Sequence, residues 1–92
     1  MTDFTWDEAK EKTNIEKHGV DFTLAAQVFK DEHRKTYIDR SHSKDEERFF
    51  CLGKVNGRVL TVRFLYRDGK IRIIGAGFWR KGKKYYDQKS IY

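Results

Sequence analysis

Apolar residues recur at helical spacing in the first third of the chain and alternate with polar ones after residue 47. Thr5-Trp6-Asp7-Glu8 reads as a helix start, with Thr5 as the cap, Glu8 closing a capping box and both acids near the positive end of the dipole. Lys17-His18-Gly19 reads as its end, since basic residues suit the terminal carbonyls and glycine takes the left-handed closing conformation. The apolar stripe of this helix is thin (Trp6, Ala9, Ile15), so a surface position is expected. A second short helix is expected after Asp21, carrying Phe22, Ala25, Ala26 and Phe29 on one side as core contacts. Thr36-Tyr37-Ile38 fits a short strand.

Two turn signals organise the remainder. Asn56-Gly57 and Asp68-Gly69 suit two-residue hairpin turns, in which both residues tolerate positive φ. They predict three consecutive antiparallel strands, roughly Glu47 to Val55, Arg58 to Arg67 and Lys70 to Gly77. Tight turns fix the register: Lys54 faces Val59, Phe50 faces Arg63, Phe49 faces Phe64, Tyr66 faces Ile71, Leu65 faces Arg72 and Phe64 faces Ile73. Alternation then sorts Phe49, Cys51, Leu60, Val62, Phe64, Tyr66, Ile71 and Ile73 onto one apolar face, where the helices are expected to pack. The opposite face collects Arg48, Phe50, Leu52, Lys54, Thr61, Arg63, Leu65, Arg72 and Ile74, with one arginine from each strand.

Composition narrows the class. The 92 residues contain no proline, which leaves no marked linker and points to one α+β domain spanning 1–92. Aromatic residues make up 15% of the chain, more than a solvated tail carries. A net charge of +6 favours an acidic partner, and with the rings it points to nucleic acid. A single cysteine, Cys51, forms no internal disulfide and no cysteine-based zinc site, which suits the reducing cytoplasm. The first residues lack a signal-peptide plan, and no apolar run approaches the ~20 residues of a membrane span, so no membrane partner is expected.

Three arginines on a rigid sheet, interleaved with Phe50, suit phosphate groups and unstacked bases. The same face would also serve as a solvated surface, with arginines lying over apolar side chains, or as a docking surface for a protein. RNA cleavage through the 2′-OH needs proton-transfer groups besides fixed cations. His42 and Glu47 are the candidates, lying just before and at the start of the first hairpin strand, with Asp39 and Arg40 close in sequence. His18, His33 and His42 match no zinc-ligand spacing, and no phosphate-cradling glycine loop is present, so neither metal nor cofactor is expected.

The chain resembles the BrnT toxins. The resemblance rests on Phe4-Thr5-Trp6-Asp7, Lys10, Asn14, Lys17-His18-Gly19-Val20-Asp21-Phe22, Ala25-Ala26, Val28-Phe29 and Asp31. It continues through Asp39-Arg40, His42-Ser43, Glu46-Glu47-Arg48-Phe49, Gly53, Gly57-Arg58, Leu60 and Ile71-Arg72-Ile73-Ile74. It implies a RelE-like fold with two N-terminal helices, an antiparallel sheet containing a three-stranded meander, and a short basic C-terminal helix. It also implies an endoribonuclease that arrests translation and a ribbon-helix-helix antitoxin of the BrnA type, through which the pair meets promoter DNA. On this basis Glu47, Arg48, Phe49 and Arg63 come first in the functional set, with Arg72 and Arg80 next; joined to the residue reading, the catalytic candidates are Glu47, Arg48, Arg63, His42 and Arg80. Arg72, Phe49, Phe50, Lys54, Lys81 and Lys83 are the RNA-binding candidates. Where such toxins commonly carry Ser-Ala-Arg after the last strand, this chain has Gly75-Ala76-Gly77, and Gly82 is expected to weaken the closing helix by ~1 kcal/mol relative to alanine. The alternative reading is a non-catalytic basic module that binds RNA or docks the antitoxin.

Overall fold

A computed structural model describes residues 3–88. The elements are β1 (Phe4–Trp6), α1 (Glu8–His18), α2 (Phe22–Ala26), β2 (Lys35–Ile38), β3 (Phe49–Val55), β4 (Arg58–Arg67), β5 (Lys70–Gly77) and α3 (Arg80–Asp87). Short 3-10 turns occupy Gln27–Lys30 and Arg40–His42. The strands form one sheet in the order β1-β5-β4-β3-β2. No helix among the described residues is long and apolar enough to cross a membrane.

The two hairpin turns form where expected. Asn56 and Asp68 have φ of 52° and 53°, and Gly57 and Gly69 follow at 80° and 73°. The resulting register pairs Phe50 with Arg63, Phe49 with Phe64, Leu65 with Arg72 and Phe64 with Ile73. It departs from simple alternation at one point. Arg63 pairs with Gly75 while Phe64 pairs with Ile73, so Ile74 is an extra residue in β5 and the strand bulges there. Gly75, rather than Ile74, therefore lies beside Arg63.

The N-terminus corrects the expected helix start. Phe4–Trp6 is a strand running parallel to β5, which makes the sheet mixed, and Asp7 caps α1. The Asp7 carboxylate accepts from the N–H groups of Ala9 and Lys10 at 2.8 and 3.1 Å. Thr5 is committed to the strand, opposite Arg72. Gly19 closes α1 at φ 68°, and Asp21 caps α2 through the Leu24 N–H. The one buried residue of α1 is polar. Asn14 donates to the carbonyls of Val20 and Ala76 at 2.9 and 3.0 Å and accepts from the Ala76 N–H at 3.1 Å. The two bonds to Ala76 fasten α1 to β5 where the apolar stripe is too thin to do so, and the third ties α1 to the turn that follows it.

The core lies on the expected apolar face. Cys51, Leu60, Val62, Phe64, Ile71, Ile73 and Ala76 pack there against Val20, Phe22, Ala25 and Val28. Tyr66 is the exception, 57% exposed at the sheet margin, where it meets Phe49 and Phe64 only edge-on. The second correction concerns the helices, which do not all pack on that face. α3 crosses the arginine face, and Leu52, Val59, Thr61 and Leu65 are buried there. Its C-terminal end is held by Lys35 Nζ, which donates to the carbonyls of Tyr85 and Gln88 at 3.0 and 2.7 Å, and by the Tyr86 hydroxyl on Asp31.

Gly82 is the contact point between α3 and the sheet. A Cβ placed on it would lie 1.9 Å from Thr61 Oγ1 and 3.3 Å from Leu52 Cδ2. The glycine that helix propensity disfavours is thus what lets the helix reach β4. Gly82→Ala is expected to lower stability by about 1–3 kcal/mol in urea unfolding, reversing the gain that propensity alone gives. A stabilised variant would contradict this packing.

Candidate functional site

The site is built where β2 runs out. Alternation along β2 places Asp39 on the same side as Tyr37, which pairs with Phe50, which in turn pairs with Arg63. The Asp39 N–H donates to the Arg48 carbonyl at 2.7 Å, closing the loop that joins β2 to β3. Ser43 staples the same loop: its hydroxyl donates to the Asp39 carbonyl at 2.6 Å and accepts from the Arg48 N–H at 2.9 Å. The 3-10 turn Arg40–His42 then brings His42 back over Asp39.

The Asp39 side chain is only 4% exposed and is fully engaged. Ser41 Oγ donates to Oδ1 at 3.0 Å, His42 Nδ1 lies 2.9 Å from Oδ2, and Arg63 Nη2 lies 3.9 Å from Oδ2. Burial pushes the carboxyl up, but the hydrogen bonds from Ser41 and His42 and the positive charges beside it outweigh that and hold it below its ordinary value. An ionised carboxylate only accepts, so Nδ1 of His42 carries the proton and Nε2 is the basic nitrogen. The His42 side chain is 55% exposed, so a substrate can reach it. A buried carboxylate that fixes the tautomer of an exposed imidazole, beside a guanidinium, can accept a proton and stabilise a negative charge in one place.

The candidates drawn from sequence divide around this cluster. Arg48 is half-buried and shares a shallow depression with Ser41, His42, Lys44, Asp45 and Glu46. Arg63 is 31% exposed and touches the cluster directly. Arg72 is half-buried on the same face, two strands from β3, opposite Leu65 and Thr5. Phe50 is half-buried under α3 with Thr61, Trp79, Lys81 and Tyr85. Glu47 lies just outside β3, which begins at Phe49, and is exposed; its neighbour Glu46 makes the ion pair of this region, with Arg67 at 2.6 Å.

The remaining candidates stand away from the cluster. Phe49 stacks on Phe64, with ring centroids 5.5 Å apart, on the core side of the sheet. Arg80 begins α3 at the opposite, β3–β4 turn end, lining a depression with Lys54, Arg58, Trp79 and Lys83. Lys83 is paired with Asp87 at 2.6 Å. Lys54 and Lys81 are exposed. Cys51 is buried, and burial pushes its thiol up to about 11, which leaves it un-ionised and without nucleophilic character at neutral pH. Among the described residues no three His, Cys, Asp or Glu side chains gather as a metal-binding group.

Asp39, which the sequence offers only as a neighbour of His42, is the side chain at the centre of the cluster. The signal for this place was its position one residue beyond Ile38 in β2, on the alternation side of Tyr37.

Fold and site together define a small basic α+β domain with an Asp–His–Arg cluster on the arginine face of a mixed sheet. The family model for the ribonuclease toxin BrnT of type II toxin–antitoxin systems matches residues 6–82, and the chain belongs to that family. An RNA substrate and an antitoxin partner follow from membership. No curated protein matches the chain.

Proposed function

We infer that this protein is a metal-independent endoribonuclease that cuts RNA at the Asp39–His42–Arg63 cluster. The single observation that carries the reading is the buried Asp39 carboxylate fixing the exposed His42 imidazole beside Arg63. His42 Nε2 takes the proton of the ribose 2′-OH, and the 2′ oxygen attacks the adjacent phosphorus. Arg63, with Arg48 nearby, stabilises the charge that builds on the non-bridging oxygens. The bond from phosphorus to the 5′ oxygen breaks, and that oxygen leaves with a proton from water, which the exposed site admits. The products are a 2′,3′-cyclic phosphate and a 5′-hydroxyl end. Arg72, Phe50, Lys54 and Lys81 extend the basic face along the substrate.

In the cell this activity arrests translation in the cytoplasm, and a ribbon-helix-helix antitoxin of the BrnA type neutralises it and carries the pair to promoter DNA. RelE-like architecture is the fold relationship that accompanies this reading. The test is chemical: purified protein incubated with RNA in EDTA is expected to leave 2′,3′-cyclic phosphate ends. Cleavage that EDTA abolishes, or products bearing 5′-phosphate, would overturn it.

A further inference from the structure

A groove of about 430 Å³ runs between α1 and Trp79, with Arg63, Ile74 and Gly75 along the sheet side. We propose that it is a substrate subsite holding single-stranded RNA next to the cleaved bond, with Lys10 and Lys17 on phosphates and the Trp79–His18 wall against a base. The proposal rests on the ribonuclease reading above and extends it to residues outside the cutting cluster.

Charge on α1 is sorted by side. The helix carries Glu8, Glu11 and Glu16 as well as Lys10, Lys12 and Lys17, yet none of its acids lines the groove. Lys10, Thr13, Asn14 and Lys17 follow one another at helical spacing and do line it. Glu11 is occupied elsewhere, accepting from the Phe22 N–H at 2.9 Å. A merely solvated helix has no reason to keep one side free of acids, whereas a phosphate track does.

The walls suit an unpaired base. His18 and Trp79 meet edge to face with centroids 5.2 Å apart. Trp79 is seated on the chain at Gly77, where an added Cβ would come within 2.6 Å of the indole. This gives Gly77 a role in place of the arginine expected after the last strand. A fixed indole offers a stacking surface that tolerates any base, and only single-stranded RNA exposes base faces to it. On the sheet side, the β5 bulge sets Gly75, which has no side chain, beside Arg63 and leaves the space open.

Arg63 joins the two places. It lines the groove and also lies 3.9 Å from Asp39 of the cluster. A strand held along α1 therefore passes the guanidinium that faces the reacting phosphate. The volume falls within the range of about 300–1,000 Å³ typical of ligand sites.

The test compares the full-length protein with Lys10→Gln/Lys17→Gln and with a control, Lys12→Gln/Lys30→Gln, whose lysines lie off the groove. The probe is a fully 2′-O-methylated single-stranded 12-mer, which lacks the 2′-OH nucleophile, read by fluorescence anisotropy across a salt series. The groove variant is expected to bind more weakly, with its log K against log salt slope reduced by about 1.4, the counterion release of two single-strand phosphate contacts. Its KM for RNA cleavage rises by the same factor as Kd, while the control matches wild type in both. If wild type cuts RNA and the groove variant matches the control in Kd and KM, the subsite is overturned while the cluster stands. If wild type binds the 12-mer with this salt signature but cuts nothing, the cleavage reading falls and the RNA groove remains. Loss of antitoxin binding with unchanged RNA binding would make the groove a protein-docking surface and overturn the proposal.

Discussion

Asp39→Asn protein is expected to fold and yet to cleave RNA about 10²–10⁴-fold more slowly than wild type. The carboxylate accepts from Ser41, faces His42 Nδ1 and lies near Arg63. An amide of the same size keeps one acceptor oxygen but adds an NH₂ group that can only donate. Turned toward His42, that group favours the tautomer with Nδ1 unprotonated, which moves the proton to Nε2 and removes the base. The backbone bonds that close the loop, Asp39 N–H to the Arg48 carbonyl and Ser43 Oγ to the Asp39 carbonyl, do not use the side chain and survive the change. Wild-type rates from a variant with a wild-type circular dichroism spectrum would show that Asp39 does not orient a catalytic histidine.

Arg63→Ala is expected to lower cleavage by about 10²–10³-fold, the effect of removing a fixed charge stabiliser, and to abolish growth arrest on expression. The Arg63 side chain is half-buried and held on the sheet by the β4 register, so its guanidinium is positioned before substrate arrives. Arg63→Lys separates charge from geometry: it keeps the cation but loses the planar fork that grips two phosphate oxygens, and it restores only part of the rate. Cleavage and growth arrest that persist in Arg63→Ala would remove this residue from the mechanism.

The hairpin register was legible because Asn56-Gly57 and Asp68-Gly69 each demand left-handed backbone, and a two-residue turn leaves one pairing. From it followed the pairing of Arg63 with Phe50 and the separation of Phe50 from Phe49, both of which the structure contains, though not the β5 neighbour of Arg63. β1 was not legible. Three residues that pair in parallel with a strand more than sixty positions away carry no turn signal, and Thr5 and Glu8 mimic a capping box. The bulge at Ile74 escaped for a related reason, since alternation assumes an unbroken ladder. The placement of Asp39 beside Arg63 was not legible because the loop from β2 to β3 is long, so nothing local fixes their register; it follows only once Tyr37 is known to face Phe50. Gly82 shows propensity pointing the wrong way, because the close approach to Thr61 is a tertiary demand. Resemblance makes Arg80 a catalytic candidate, and the course of α3 over the opposite end of the sheet separates it from the cluster.

Cleavage in this proposal turns on the exposed His42 imidazole, held by the buried Asp39 carboxylate, acting as the base. The most direct measurement is cleavage by purified His42→Ala in EDTA, with and without added imidazole. His42→Ala is expected to lose cleavage, and free imidazole filling the vacated position beside Asp39 is expected to restore part of it. Wild-type cleavage by His42→Ala would contradict it.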